Sequence, residues 1–170
     1  MGGSRIAIRI SSYAPDNMAI KLIECDKQKS YKLAEYMNDI IIIQGDGRNV
    51  DLLKEEGIRD MDAFIALTDS SETNILACLT AKELGVKKTI AEVENIQFIS
   101  TAERLNIGNI INKKLLAASR IFQLLLDEDS SNAKCLALSD AEVVELVAKE
   151  NSKITKAAVK DLKLPSDLTI

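Results

Sequence analysis

Short apolar runs and stretches with helical periodicity alternate along this chain at about 20 to 25 residues per repeat. The sharpest run is Ile40-Ile41-Ile42-Ile43, entered from Asp39 and left through Gln44 and Gly45-Asp46-Gly47. An uninterrupted aliphatic run of that length predicts a strand covered on both faces, as in parallel sheets. Met18-Ala19-Ile20-Lys21-Leu22-Ile23, Ala63-Phe64-Ile65-Ala66-Leu67 and Thr89-Ile90-Ala91-Glu92-Val93 predict three more strands, and Ile110-Ile111 a short edge strand. Between them, helices are expected over 26–37, 50–56, 70–84 and 96–105. Tyr31, Leu33, Ala34 and Met37 are able to contribute to an inward stripe on the first, and Gly57 stops the second. Ser70 or Ser71 can cap the third, Glu72 suits its positive end, and Gly85 stops it. A last helix over 113–126 carries Leu115, Leu116, Ile121, Phe122, Leu124, Leu125 and Leu126, and is apolar nearly all round. Such a helix is buried on more than one side, which at the end of a domain points to a second subunit.

This order predicts an α/β protein: a doubly wound parallel sheet over residues 1–126, with helices on both faces and ligands at the carboxyl ends of the strands. The pattern changes at Asp127-Glu128-Asp129-Ser130-Ser131-Asn132, read as a strand-free linker over 127–132. Residues 133–170 read as a small, partial α+β subdomain. It has a half-exposed strand over 141–148, a short helix over 154–162 ended by Leu164-Pro165, and a strand cut off at Leu168-Thr169-Ile170. A tail this short buries too little surface for a core of its own.

Composition narrows the chemistry. The 170 residues are 46% hydrophobic, enough for one full core. A net charge of −4 without a long basic run argues against nucleic acid as a partner. Histidine is absent, which removes His-dependent triads and His-ligated metals, and no metal site is expected. Cys25, Cys78 and Cys135 are widely spaced and read as buried reduced thiols. No apolar run approaches the roughly 20 residues of a membrane span.

Candidate chemistry lies at the strand ends. Gly2-Gly3-Ser4-Arg5-Ile6-Ala7 has the spacing G-x-S-x-x-A, a degenerate form of the turn that brings backbone N–H groups to a pyrophosphate. Glu24 follows at the distance of the ribose-binding acid, about 20 residues on, with Asp26 beside it. Only Met1 precedes the turn, so the central first strand is expected to be truncated. Arg5-Ile6-Ala7-Ile8-Arg9-Ile10 reads either as the helix after the turn or, by its period-2 alternation, as a strand that takes the missing central place. Gly-Asp-Gly at 45–47 puts bare backbone and a carboxylate at the end of the next strand. On residue type alone it also reads as a plain turn.

Together, Ile23-Glu24-Cys25-Asp26, Gly45-Asp46-Gly47, Leu52-Leu53 with Gly57-Ile58, Asp62-Ala63-Phe64-Ile65-Ala66-Leu67-Thr68, and Glu72-Thr73-Asn74 with Leu84-Gly85-Val86 resemble the RCK/KTN (TrkA-N) domain family. These are Rossmann-like cytosolic regulators of potassium channels and transporters. Gly3-Ser4-Arg5-Ile6 and Asn112-Lys113-Lys114-Leu115 with Ala117-Ala118-Ser119-Arg120-Ile121 resemble the second, C-terminal half of its tandem members. The resemblance implies a domain responsive to NAD(H), or to ATP or ADP. It implies a homo-oligomer, dimeric through helix 113–126 or a larger ring, under a membrane potassium-translocating subunit at the inner face of the cell membrane. By position it puts Gly2, Ser4 and Arg5 at the diphosphate, Glu24 and Asp26 at the ribose, and Gly45, Asp46 and Gly47 near the adenine and its ribose. Thr68 then faces the crevice, Asn74 lies at the following helix, and Glu92 stands where members often carry an arginine that meets phosphates.

The expectation is a regulatory, non-enzymatic protein. One rival is an NAD(P)-dependent oxidoreductase. It would need a catalytic acid or base and a substrate domain, and neither is evident here. Another is a dimerisation scaffold that no longer binds a ligand.

Overall fold

Five short strands and the helices between them follow the alternation in the sequence. The computed structural model describes residues 1–125, 130–135, 142–165 and 168, in two units, Met1–Leu115 and Leu116–Ile170. In the first unit β1 (Lys21–Glu24) pairs in parallel with β2 (Ile41–Gln44). A second parallel sheet runs β3 (Ala63–Ala66), β4 (Lys88–Glu92), β5 (Asn109–Ile111).

Met1 and Gly2 join the two sheets. The Gly2 N–H donates to the Ile23 carbonyl at 2.8 Å, the Met1 carbonyl accepts from the Leu67 N–H at 2.9 Å, and the Met1 ammonium donates to the Ile65 carbonyl at 2.7 Å. The spatial order is therefore β2, β1, Met1-Gly2, β3, β4, β5. Met1 and Gly2 hold the central place between β1 and β3, at its carboxyl end, through these backbone hydrogen bonds.

Arg5–Ser12 form helix α1, so the strand alternative for this segment is set aside. Local chemistry decides it: Ser4 is extended and its Oγ accepts from the Ala7 N–H at 3.3 Å, an N-cap. Helices α2 (Lys27–Tyr36), α3 (Val50–Glu55), α4 (Ser71–Glu83), α5 (Ile96–Arg104) and α6 (Lys113–Leu125) follow. Side chains of Asp26, Asn49, Ser70 and Asn95 cap α2 to α5.

Alternate residues of β3 and β4, namely Phe64, Ala66, Thr89 and Ala91, are buried, and α4 packs on both strands through the buried small residues Ala77, Cys78 and Ala81. β2 departs from expectation. Among the described residues it is an edge strand paired only with β1, and Ile41 is 58% exposed, because no further described strand covers its outer side.

Gly108 has φ +107°, and a Cβ there would collide with the carbonyl oxygen of buried Thr89. Gly108→Ala should therefore lower stability by about 2–3 kcal/mol, read as a fall in the thermal midpoint.

The second unit contains the last turns of α6 and the antiparallel pair β6 (Ser130–Cys135) and β7 (Glu142–Leu146). Two 3-10 turns, Lys153–Thr155 and Val159–Asp161, follow. Two expectations are corrected. The linker placed at 127–132 overlaps β6. The helix placed at 154–162 is divided into two turns by Ala158, whose extended backbone (ψ 146°) breaks the helical hydrogen-bond run. The expected helix end at Leu126 and the strand residues Thr169 and Ile170 lie outside the described residues. Leu116, Ile121, Leu124 and Leu125 of α6 are exposed, and no described residue of this helix is fully buried. Among the described residues no helix is long and apolar enough to cross a membrane.

Candidate functional site

The turn Gly2-Gly3-Ser4 leads from the central strand position into α1. Gly2 has φ +88°, and a Cβ on it would lie 2.9 Å from the Leu67 carbonyl carbon and oxygen and 3.0 Å from Thr68 Cγ2. Only glycine fits this cradle between the turn and the end of β3. A Cβ on Gly3 would strike Leu33 Cδ1 of α2 and come within 2.8 Å of Glu24 Oε2. Ser4 stands where the fingerprint has its second glycine. Its φ of −73° is open to any residue, so here serine replaces glycine without backbone strain.

Glu24 ends β1 beneath this turn and is only 4% exposed. Its Oε2 accepts from the Gly3 N–H at 2.8 Å and from Lys29 Nζ at 3.0 Å. Its Oε1 accepts from the Asp26 N–H at 3.0 Å and the Cys25 thiol at 3.5 Å. Burial alone would push this carboxyl up. The Asp26 amide, the Lys29 ammonium and the Gly3 amide outweigh it and hold the pKa at about 2, so the group is a carboxylate at neutral pH.

The loop after β2 closes on the same turn. The Gly45 N–H donates to the Glu24 carbonyl at 2.9 Å, and a Cβ on Gly47 would meet Met1 Sδ at 2.5 Å. Asp46 binds the Arg48 guanidinium at 2.7 Å and accepts from the Arg48 N–H at 2.9 Å. The Arg48 side chain and amide hold its carboxyl below the usual range.

Gly2, Glu24, Gly45, Asp46, Gly47 and Thr68 are thus brought together at the carboxyl ends of the parallel strands. Three other expected site residues are placed differently. Asp26 Oδ1 caps α2 through the Lys29 N–H at 2.7 Å. Arg5 is exposed and lines a shallow hollow of about 560 Å³ on the flank of α1, beside Ile6, Arg9 and Tyr13. Asn74 is fully buried. Its Oδ1 accepts from the Thr68 N–H at 3.0 Å and the Thr68 hydroxyl at 2.7 Å, and its Nδ2 donates to the carbonyls of Thr68 at 2.9 Å and Glu92 at 2.8 Å. Every hydrogen-bonding position of that amide is used inside the protein, tying the ends of β3 and β4 to α4.

Sequence reasoning missed Lys29, whose only local signal is its place in the first turn of the helix after the strand-ending acid. It also missed the contacts that root α6. Glu92 is 3% exposed and pairs with Lys113 at 2.6 Å, while Lys113 and Lys114 reach Glu94 at 3.1 and 3.7 Å. Asn112 donates to the Val93 and Glu94 carbonyls at 2.7 and 3.1 Å and accepts from the Leu115 N–H at 3.0 Å. The cysteine expectation is corrected in part. Cys25 and Cys78 are free thiols, but Cys25 is exposed, because it follows the last residue of β1; Cys78 is buried and its pKa is raised to about 11 by burial. The Cys135 side chain lies outside the described residues. No cluster of three metal-ligating side chains occurs among the described residues.

A parallel sheet with a glycine turn, a helix N-terminus and a buried strand-end carboxylate defines a Rossmann-type domain. The TrkA-N domain model matches residues 1–113, and the chain belongs to that family. A curated relative, the Trk system potassium uptake protein TrkA homolog 1 of Methanosarcina mazei, is 30% identical over 155 residues, 91% of this chain and 35% of its own length. This chain thus spans about a third of that relative. Among solved structures, the GsuK RCK domain aligns with a TM-score of 0.63 at 15% identity, over 72% of this chain and 27% of that one. The NAD(P)-binding domain of an exopolyphosphatase-related protein from Archaeoglobus fulgidus aligns with a TM-score of 0.58 at 9% identity, over 71% and 86%. At these identities the structural likeness speaks for the fold.

Proposed function

We propose that the first unit is a nucleotide-sensing, non-enzymatic regulatory domain for potassium uptake, acting on a membrane potassium-translocating subunit from the cytoplasmic face. One observation carries the ligand reading: Gly3 and Glu24, from opposite ends of the turn-helix-strand unit, are locked by a buried hydrogen bond at the carboxyl edge of the sheet. A nucleotide there places its diphosphate at Gly2, Ser4 and the first amides of α1, where the helix dipole favours an anion. Its ribose lies toward Glu24 and Asp26, and its adenine toward Gly45-Asp46-Gly47. Thr68 lines the crevice, while Asn74 holds Thr68 in place. NAD(H) is the first candidate, and ATP and ADP are the others. The family name of the relatives supports the potassium role; the exposed leucines of α6 support a homo-oligomer formed through helix 113–126.

Regulation then requires only that a nucleotide bind one arrangement of the oligomer more tightly than another. The test is calorimetric titration of the chain with NAD, NADH, ATP and ADP, together with light scattering. Saturable binding of at least one nucleotide, abolished by Gly2→Val, and a mass of two chains or more, reduced by Leu124→Glu, are expected. Absence of saturable binding for all four rejects the sensor, and NADH oxidation with a panel of carbonyl substrates rejects the non-enzymatic reading.

A further inference from the structure

The Glu24 carboxylate is already full. Two carboxylate oxygens offer about four acceptor positions, and four donors fill them: the Gly3 and Asp26 amides, the Lys29 ammonium and the Cys25 thiol. A ribose hydroxyl can therefore reach this group only by displacing a donor. The two amides are fixed by the glycine turn and by the start of α2. The thiol sits on Oε1, the oxygen turned toward the backbone of its own strand end. The oxygen next to the glycine turn is Oε2, and the donor there that can leave is Lys29. Its side chain is 48% exposed, and its stem lies against the turn, with Cε 3.4 Å from where a Gly3 Cβ would stand.

Releasing that ammonium has a consequence. The carboxylate it leaves is buried, and no other cation touches it among the described ion pairs. Losing the one charged partner of a buried ion is costly. A bound molecule offsets the loss only by giving the freed ammonium a new anion near the turn, and a phosphate does so.

We propose, on the nucleotide-binding reading above, that Lys29 is a strap across the ribose acid. Binding transfers it from Glu24 to a ligand phosphate, and this restricts the site to phosphorylated nucleotides. The exchange makes and breaks only hydrogen bonds and ion pairs. Lys29 is then a specificity-determining residue whose removal acts in opposite directions on two ligands. Without the strap, a plain nucleoside meets an open carboxylate and binds better. A nucleotide loses its phosphate partner and binds worse.

Adenosine and ADP are titrated calorimetrically into the 170-residue chain and into its Lys29→Met and Lys29→Arg variants at one ionic strength, with circular dichroism to verify folding. Lys29→Met should weaken ADP about tenfold and tighten adenosine several-fold, while Lys29→Arg, which keeps the charge, should preserve the wild-type preference. ADP weakened with adenosine unchanged or undetectable makes Lys29 a simple phosphate contact and overturns the strap. Equal shifts for both ligands, or none, overturn it as well. If Lys29→Met fails to fold, Lys29→Arg decides through salt: adding salt must weaken ADP and tighten adenosine in the arginine variant and the wild type alike, and any other pattern rejects the proposal. Wild-type chain that binds none of the four nucleotides above rejects the nucleotide-binding reading itself, a result separable from failure of the strap alone.

Discussion

Asn74→Ala is expected to destabilise the first unit by about 3 kcal/mol. The side chain is completely buried and makes four hydrogen bonds: two received from Thr68, and one given to each of the Thr68 and Glu92 carbonyls. Alanine leaves the Thr68 N–H and both carbonyls without these partners, each at a cost of about 1–3 kcal/mol. The sum is smaller than simple addition, because a water can enter the space and the Thr68 hydroxyl can turn to Ser70. Urea unfolding should show the midpoint falling by about 1–2 M. Asn74→Asp tests the same geometry by sign. It sets a carboxylate oxygen against the two carbonyls, so it should be worse than alanine at neutral pH and recover as the solution is acidified. A midpoint within about 0.3 M of wild type for the alanine variant would mean that this amide does not tie the two strands to α4.

Acid should unfold the glycine turn through Glu24. The folded pKa is about 2 against 4.5 for an ordinary glutamate. Burial opposes this, and the Asp26 amide, Lys29 and the Gly3 amide overcome it. A depressed carboxylate adds stability above its unfolded value and loses it as pH falls through the folded one. Glu24 therefore contributes fully at pH 5 and above, and progressively less from pH 4.5 toward 2. The pH-dependent part amounts to about 2 kcal/mol, below the full linkage value because Lys29 is half in solvent. Urea unfolding of wild type and Glu24→Gln at stepped pH gives the answer. The gap between the two should be widest at neutral pH and close toward pH 2. A gap independent of pH would remove the carboxylate from the account and leave only its shape.

How much of this was legible beforehand differs from element to element. α4 could be read to within a residue, since its serine cap, its first-turn acid and Gly85 are all local signals. The strand before the Gly45 loop was located correctly but misjudged in burial. An all-isoleucine run looks the same at an edge as in the middle of a sheet, because coverage depends on strand order and not on the strand's own residues. The segment from Arg5 satisfied two periods at once, and the Ser4 cap resolved it. At the candidate site, residue type and spacing had singled out Gly2, Glu24 and the Gly45 loop, which the fold brings together. They could not separate Asn74, whose amide faces inward and is consumed, from residues open to the crevice. They were silent on Lys29, because a lysine in a helix's first turn is ordinary until the chain folds a buried carboxylate beneath it.

Hydrophobic order, caps and turn glycines were enough to specify an alternating parallel α/β chain with its candidate site residues at the strand ends, since each depends on neighbours within a turn or two of backbone. Packing of distant segments settled the rest. Met1 and Gly2 took the central place between the two sheets by bonding Ile23 on one side and Ile65 and Leu67 on the other. Glu24 became a saturated, strongly acidic group because residues on both sides of it in the sequence converge on its two oxygens. Hydrogen bonds and ion pairs between segments far apart in the chain leave no periodic trace in a sequence, and they decide which polar groups remain free to meet a ligand.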